Sequence, residues 1–190
     1  MPAQTLPELL ANVKANPDKV LYGSAGIGSS THLVGELLNG AAGLEMRHVP
    51  YRGGGPLLAA LVAGDIQVGF ETISGVKPFA EGGRVRMVAV TSKARNATVP
   101  QLPSVAEAGV NGFYATLWEA LFLPKGTLDA IVMRWNTAMK KVLASPKVLK
   151  RLADFGLEGI PSTPQQLGAQ IEADIVKWAT VIKSAYVNME

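Results

Sequence analysis

Short apolar runs alternate along the chain with stretches in which apolar residues recur every three or four positions, and glycine, proline or serine marks nearly every change. Thr5-Leu6-Pro7-Glu8 has the form of a capping box, opening a helix that runs to about Ala15 and stops at Asn16-Pro17. Val20–Tyr22 reads as a buried strand. Gly23 to Ser30 is a glycine- and serine-rich turn leading into a helix with Leu33, Val34, Leu37, Leu38 and Ala41 on one face, ending near Gly43. The alternation continues with a strand at Met46–Val49, a loop at Pro50–Gly55, a helix at Pro56–Ala63, a strand at Ile66–Phe70, a short helix at Val76–Glu81 and a strand at Val85–Val90. Strands and helices at this spacing predict an α/β fold with a parallel, two-faced sheet and right-handed crossovers.

The texture changes after Pro100. Ser104–Ala108 reads as a short helix and Phe113–Leu123 as a long extended run with Trp118 in its middle. Helices are then expected at Leu128–Ala144, Lys147–Phe155 and Pro164–Tyr186, the last with Thr163 as N-cap and Pro164 at its first position. This divides the chain into an α/β part at 5–117 and a helical part at 118–190. Ile131, Val132, Trp135 and Met139, and later Leu167, Ile171, Ile175, Trp178 and Ile182, form apolar stripes that need a sheet to pack on. The helical part supplies at most one strand.

Composition narrows the classes. Apolar residues make up 48% of the chain and charged residues 17%, which suits a packed core and not a disordered chain. The formal net charge of +3 is small, and Lys140, Lys141, Lys147, Lys150 and Arg151 cluster without interleaved aromatics, so nucleic-acid binding is not indicated. With no cysteine, disulfides, thiolate metal sites and cysteine nucleophiles are excluded. No apolar run approaches the ~20 residues that span a bilayer, and Met1-Pro2-Ala3-Gln4 has neither the charge nor the apolar stretch of an export signal.

Catalytic and cofactor patterns fail on inspection. Gly26-x-Gly28 follows a strand, but the sixth position of the dinucleotide fingerprint is Thr31, and the next strand runs into Pro50-Tyr51-Arg52 with no acidic residue for a ribose. No phosphate loop of the G-x-x-x-x-G-K type is present, and Ser30 lacks the second glycine of a nucleophile elbow because His32 stands there. Ser30, His32 and Asp65 do not make a hydrolytic set, since residues two apart on a helix face different ways. Two histidines without metal-ligand spacing argue against zinc, and both read as packing residues. The carboxylates are dispersed. No catalytic residue, metal or cofactor is expected.

The turn itself remains. A strand feeding a glycine-rich turn that opens a helix presents backbone N–H groups at the positive end of the helix dipole. Glycine lets a ligand approach closely, and Ser24, Ser29, Ser30 and Thr31 add hydroxyls. Each hydrogen bond to a charged group contributes about 1.5–3 kcal/mol, so several together suit capture of a small anion. The plainer alternative is a tight turn with a serine N-cap.

The run from Tyr22 to Leu33 resembles the signature of the tripartite tricarboxylate transporter substrate-binding proteins, also called the Bug or TctC family. The blocks His48–Pro56, Gly64–Gln67, Phe70-Glu71-Thr72, Val88–Ser92, Leu102–Gly109 and Pro124–Thr127 follow in the family's order, and the end of the chain resembles its closing helix. The resemblance implies a type II periplasmic-binding-protein fold of two α/β lobes, each contributing a glycine-rich loop to a carboxylate site. It implies a periplasmic, non-enzymatic solute-binding protein whose partners are a small organic acid and the membrane subunits of a transporter. The ligand-binding positions it carries over are Tyr22, Gly23, Ser24, Ala25, Gly26, Gly28, Ser29, Ser30, Thr31, His32, Tyr51, Gly53, Phe70 and Thr72. The family's opening segment, which holds the first lobe's strands and gripping loop, has no counterpart before Thr5. Residues 5–117 are therefore expected to be the second lobe and 118–190 the crossover strand and helices of a largely missing first lobe, with homo-oligomerisation through uncovered apolar stripes as one outcome. A truncated homologue without competent binding is the main alternative, and an α/β hydrolase or nucleotide-binding enzyme the lesser one.

Overall fold

A computed structural model describes residues 3–185. Tyr186, the expected end of the last helix, lies outside them. The chain divides into two compact units, one containing the residues up to Thr116 together with those from Ala179 on, the other Leu117–Trp178.

The first unit is built on a three-stranded parallel sheet. β1 (Leu21–Ser24) is central, flanked by β2 (Arg47–Pro50) and β3 (Val68–Gly69) in the order β2-β1-β3. Leu21 pairs with Arg47 and Ser24 with Pro50, while Tyr22 pairs with Val68 and Gly23 with Gly69. Because the strands are parallel, their C-terminal ends and the loops that follow lie along one edge, each loop opening a helix. These are α2 (Ser30–Ala42), α3 (Gly54–Ala63) and α4 (Ile73–Glu81). α1 (Leu6–Ala15) precedes β1 and is capped by Thr5, whose hydroxyl accepts from the Glu8 N–H, while the Glu8 carboxylate reaches back to the Gln4 N–H.

Packing on the central strand sets the position of α2. Tyr22 is fully buried, and a Cβ at Gly35 would stand 2.7 Å from its ring carbons. Only glycine lets α2 approach β1 this closely. Leu57, Leu58, Ala60 and Ile66 form the adjoining core beneath α3, with Leu21, Val49 and Tyr51 packed against it. The Asn39 amide ties the end of α2 to the start of β2 by exchanging hydrogen bonds with the Met46 backbone at 3.1 and 3.2 Å.

Two sequence expectations in this unit are not met. Val85–Val90 is not a strand. Only Val90 pairs, in an isolated parallel bridge to Ser104, because no row of partners faces the rest of the segment. Ser104–Ala108 is a turn instead of a helix, stapled by the Glu107 carboxylate accepting from the Ser104 N–H while the Ser104 hydroxyl accepts from the Glu107 N–H. Around it Val90, Val99, Val105, Val110, Phe113 and Ala115 are buried without regular structure.

The second unit contains α5 (Asp129–Leu143), α6 (Pro146–Asp154) and the greater part of α7 (Pro164–Ser184). Phe113–Leu123, expected as an extended strand, joins no sheet. A reciprocal pair of bonds between Thr163 and Gln166 opens α7, so Thr163 caps it as its sequence suggests. The Trp118 indole donates to Asp174 at 2.6 Å. Neither α5 nor α6 buries a residue.

The α2–β1 contact yields a paired prediction. Gly35→Ala should destabilise the protein by about 1–3 kcal/mol, because overpacking outweighs the gain of about 1 kcal/mol in helix propensity. Gly40→Ala on the same helix meets nothing within 4 Å and should stabilise by about 0.5–1 kcal/mol. Urea unfolding of both variants checks the contrast. Equal effects would remove close approach as the reason for Gly35.

Candidate functional site

Of the three loops at the sheet edge, those after β1 and β2 are joined by their backbones. The ladder between β1 and β2 continues past the strands, with the Tyr51 N–H donating to the Ser24 carbonyl at 2.9 Å and the Gly53 N–H to that of Ala25 at 3.2 Å. Gly53 has φ +104°, and Gly26 and Gly28 have φ +138° and +73°, conformations that a side chain would strain. Tyr51 packs into the core below, and Phe70 meets the Tyr22 ring edge-on at 6.2 Å. Thr72 caps α4 through the Gly75 N–H at 3.3 Å.

Most of the turn's polar groups are internally partnered. The fully buried Ser24 hydroxyl accepts from the Gly26 N–H at 3.1 Å and lies 2.6 Å from His48 Nε2. Thr31 Oγ1 accepts from the Ala25 N–H at 2.8 Å. Ser29 donates to the Gly26 carbonyl at 2.7 Å and caps α2 by accepting from the His32 N–H. His32 Nδ1 accepts from the Gly28 N–H at 3.0 Å. Of the hydroxyls expected to face a ligand, those of Ser24, Ser29 and Thr31 thus turn inward and hold the loop's shape. Among the described residues, the N–H groups of Ile27, Ser30 and Thr31 have no protein partner, and the side chains of Ile27 and Ser30 are exposed. These three amides at the start of α2 are the open donors.

Beneath the turn lies a cluster of Tyr22, His32, Glu36 and His48. The His32 and His48 rings stack at 3.7 Å with 10° between their planes, and Tyr22 stacks on His48 at 5.0 Å. Tyr22 donates its hydroxyl to Glu36, whose carboxylate also lies 3.8 Å from His32 Nε2. As Nδ1 of His32 is an acceptor, its neutral ring carries the proton on Nε2, toward Glu36. Burial lowers the His32 pKa, and Glu36 opposes part of that shift. Burial and the neighbouring His32 push His48 down to about 4. Burial together with Glu36 pushes the Tyr22 hydroxyl up. Both imidazoles are therefore neutral at physiological pH, and the loop rests on an uncharged platform. Ser30 and His32 make no contact with each other, and among the described residues no three metal-ligating side chains come together.

Glu71, in the Phe70-Glu71-Thr72 block, is a further residue of this edge. Its carboxylate accepts from the Thr72 N–H at 3.1 Å and lies 2.6 Å from where a Gly54 Cβ would stand. A Gly75 Cβ would also lie 3.0 Å from it. It sits over the first turns of α3 and α4, next to the Gly53–Gly55 loop. An acidic residue two positions past a short strand, facing a triple glycine, was the available signal.

Comparison with known proteins places this edge in context. A family model described as the tripartite tricarboxylate transporter family receptor matches residues 1–187. The chain belongs to that family. Among curated relatives, a UPF0065 protein of the tcbD-tcbE intergenic region of Pseudomonas sp. (strain P51) is 34% identical over 184 residues, which span 96% of this chain and 55% of the relative. A UPF0065 protein of the clcB-clcD intergenic region of Pseudomonas knackmussii is 38% identical over 165 residues, 86% of this chain and 98% of that shorter relative. Two solved structures share the fold. R. palustris Rpa4515 with adipate has a TM-score of 0.87 at 32% identity, covering 98% of this chain and 62% of that one. MatC from Rhodopseudomonas palustris with bound malate has a TM-score of 0.74 at 31% identity, covering 95% and 63%. The α/β fold is thus that of periplasmic binding proteins, and the chain spans just over half the length of most of these relatives.

The histidine platform predicts a particular acid response. His48 has a folded pKa of about 4 against an unfolded value of 6.5. Above pH 6.5 it contributes nothing to the pH dependence. As pH falls from 6.5 toward 4 the unfolded chain takes up a proton that the folded one resists, so stability drops. Thermal midpoints from pH 7 to 4 should fall more steeply for the natural sequence than for His48→Gln. Parallel curves would exclude His48 as the cause.

Proposed function

We propose that this chain is a solute-binding module that holds a small organic carboxylate at the start of α2 and serves a tripartite tricarboxylate-type transporter in the periplasm, without catalysing a reaction. The observation that carries this reading is the set of open amides at Ile27, Ser30 and Thr31, at the positive end of a 13-residue helix, on a loop whose other N–H groups are bonded within the protein. Such a site is preorganised. A carboxylate can take up the three donors without displacing internal bonds, which keeps the cost of ordering the loop low. Adipate in Rpa4515 and malate in MatC support the ligand class. The same comparisons support the absence of a catalytic role.

Of the fourteen carried-over positions, Ser30 and Thr31 are assigned to the ligand through their amides. Gly26, Gly28 and Gly53 give the loops their conformation. Ala25 shares the backbone link to the β2 loop. Tyr22, Gly23, Ser24, Ser29 and His32 support from below, and Tyr51, Phe70 and Thr72 complete the edge.

Ser30 allows the donors to be tested one at a time. It is the first residue of α2, where proline is tolerated, and the preceding Ser29 has φ −66° and ψ 160°, the conformation a residue before proline prefers. Ser30→Pro deletes one N–H while leaving the helix intact. Calorimetric titration with malate or adipate should show binding weakened by about 10- to 150-fold relative to Ser30→Ala, the equivalent of one hydrogen bond to a charged group. Equal affinity in the two variants, or no binding of any small acid by the natural sequence, would sink the reading.

For the second unit we propose that the α5–α7 face belongs to the first of the family's two lobes, and that in this chain it associates with a second copy. Ile131, Trp135, Ile160 and Ile175 are 46%, 48%, 74% and 63% exposed, an apolar display larger than an isolated surface normally carries. Light scattering should show concentration-dependent association, and dilute samples should bind a hydrophobic dye. A monomer that binds no dye would count against it.

A further inference from the structure

We propose that Glu71 sets the polarity of the ligand, selecting small acids that carry a hydrogen-bond donor, an ammonium above all, opposite the carboxylate held by α2. The inference rests on the carboxylate reading above and names its substrate class.

Three helices start along the sheet edge, and each N-terminus attracts an anion. The start of α4 is capped from within the chain, by Thr72 and Glu71. The Glu71 carboxylate accepts from the Thr72 N–H at 3.1 Å and packs against Gly54 and Gly75, in the first turns of α3 and α4. A side chain at Gly54 would stand 2.6 Å from Glu71 Oε1, so the glycine leaves room for this carboxylate. The turn before α2 keeps the Ile27, Ser30 and Thr31 N–H groups open, with no carboxylate of the described residues bonded to them. The loop of α2 and the loop of α3 are neighbours through the bond from the Gly53 N–H to the Ala25 carbonyl, and Glu71 lies just beyond Gly54. A ligand anchored by its carboxylate at Ser30 therefore has a fixed negative charge on its β3 side. A second carboxylate directed there meets repulsion, whereas an ammonium or hydroxyl meets an acceptor.

Succinate and aspartate differ by a single α-ammonium, which makes them the matched pair for the test, with malate as the hydroxyl analogue. Calorimetric titration of the chain should show aspartate binding at least about tenfold more tightly than succinate, with malate between them. In Glu71→Gln the preference should shrink to within about threefold, mainly because succinate gains, while binding remains sensitive to Ser30→Pro. Gly54→Ala, which pushes aside only the end of the Glu71 side chain, should compress the preference in the same direction. A natural-sequence ratio near one, or a ratio that Glu71→Gln leaves unchanged while acids still bind, overturns the inference alone. Failure of all three acids, and of adipate, to bind the natural sequence overturns the carboxylate reading and the inference with it.

Discussion

The seating of α2 on the Tyr22 ring is the contact on which the rest of the first unit depends. Tyr22 lies in the central strand with no exposed surface, and Gly35 brings the helix against its ring. The same ring stacks with His48, meets Phe70 edge-on and donates its hydroxyl to Glu36 one residue after Gly35. One side chain therefore fixes the height of α2, its rotation, and the position of its N-terminus above the turn. Movement of the helix by a fraction of an ångström would change all of these together, since packed interiors do not deform gradually.

From that constraint the electrostatics of the edge follow. A turn rich in serine and glycine has more donors than a single ligand can use, and a loose turn would direct them to water. Here Ser24, Ser29, Thr31 and His32 close most of them off, each accepting a backbone N–H. The hydroxyls thereby limit the loop to one shape. Neutral histidines suit this work, because a charged pair stacked at 3.7 Å would repel and a protonated His32 Nδ1 could no longer accept from Gly28.

Local signals in the sequence were legible where the physics is local. Thr5 and Thr163 cap their helices, Gly43 ends α2 in a left-handed conformation, and the strand–helix alternation up to Glu81 is seen with small shifts of boundary. The turn between β1 and α2 stood out for the same reason, since its glycines need unusual backbone angles. What could not be read is what tertiary contact decides. Val85–Val90 has the composition of a strand but lacks a neighbour to pair with. The inward direction of the Ser24 hydroxyl depends on His48, 24 positions away, and the place of Glu71 depends on Gly54 across the edge. Family resemblance marks these loops as a set, but not which groups within them remain free.

The second unit extends the argument from shape to stability. α6 has nine residues and α5 fifteen, lengths at which an isolated helix in water is marginal. Their mutual support is thin. Gly159 is surrounded by Leu143, Leu149 and Leu152, and Asn136 bonds to the Ser162 carbonyl, yet neither helix buries a residue. Capping and charge placement, with Asp129 in the first turn of α5 and Lys140 and Lys141 in the last, contribute a few tenths of a kcal/mol each. Such terms can bias a helix but cannot offset the entropy of ordering the residues from Leu117 to Trp178. Local terms therefore do not account for the helicity of this unit, which on the proposed association is a property of the assembly, whereas the Tyr22-centred unit carries its own core.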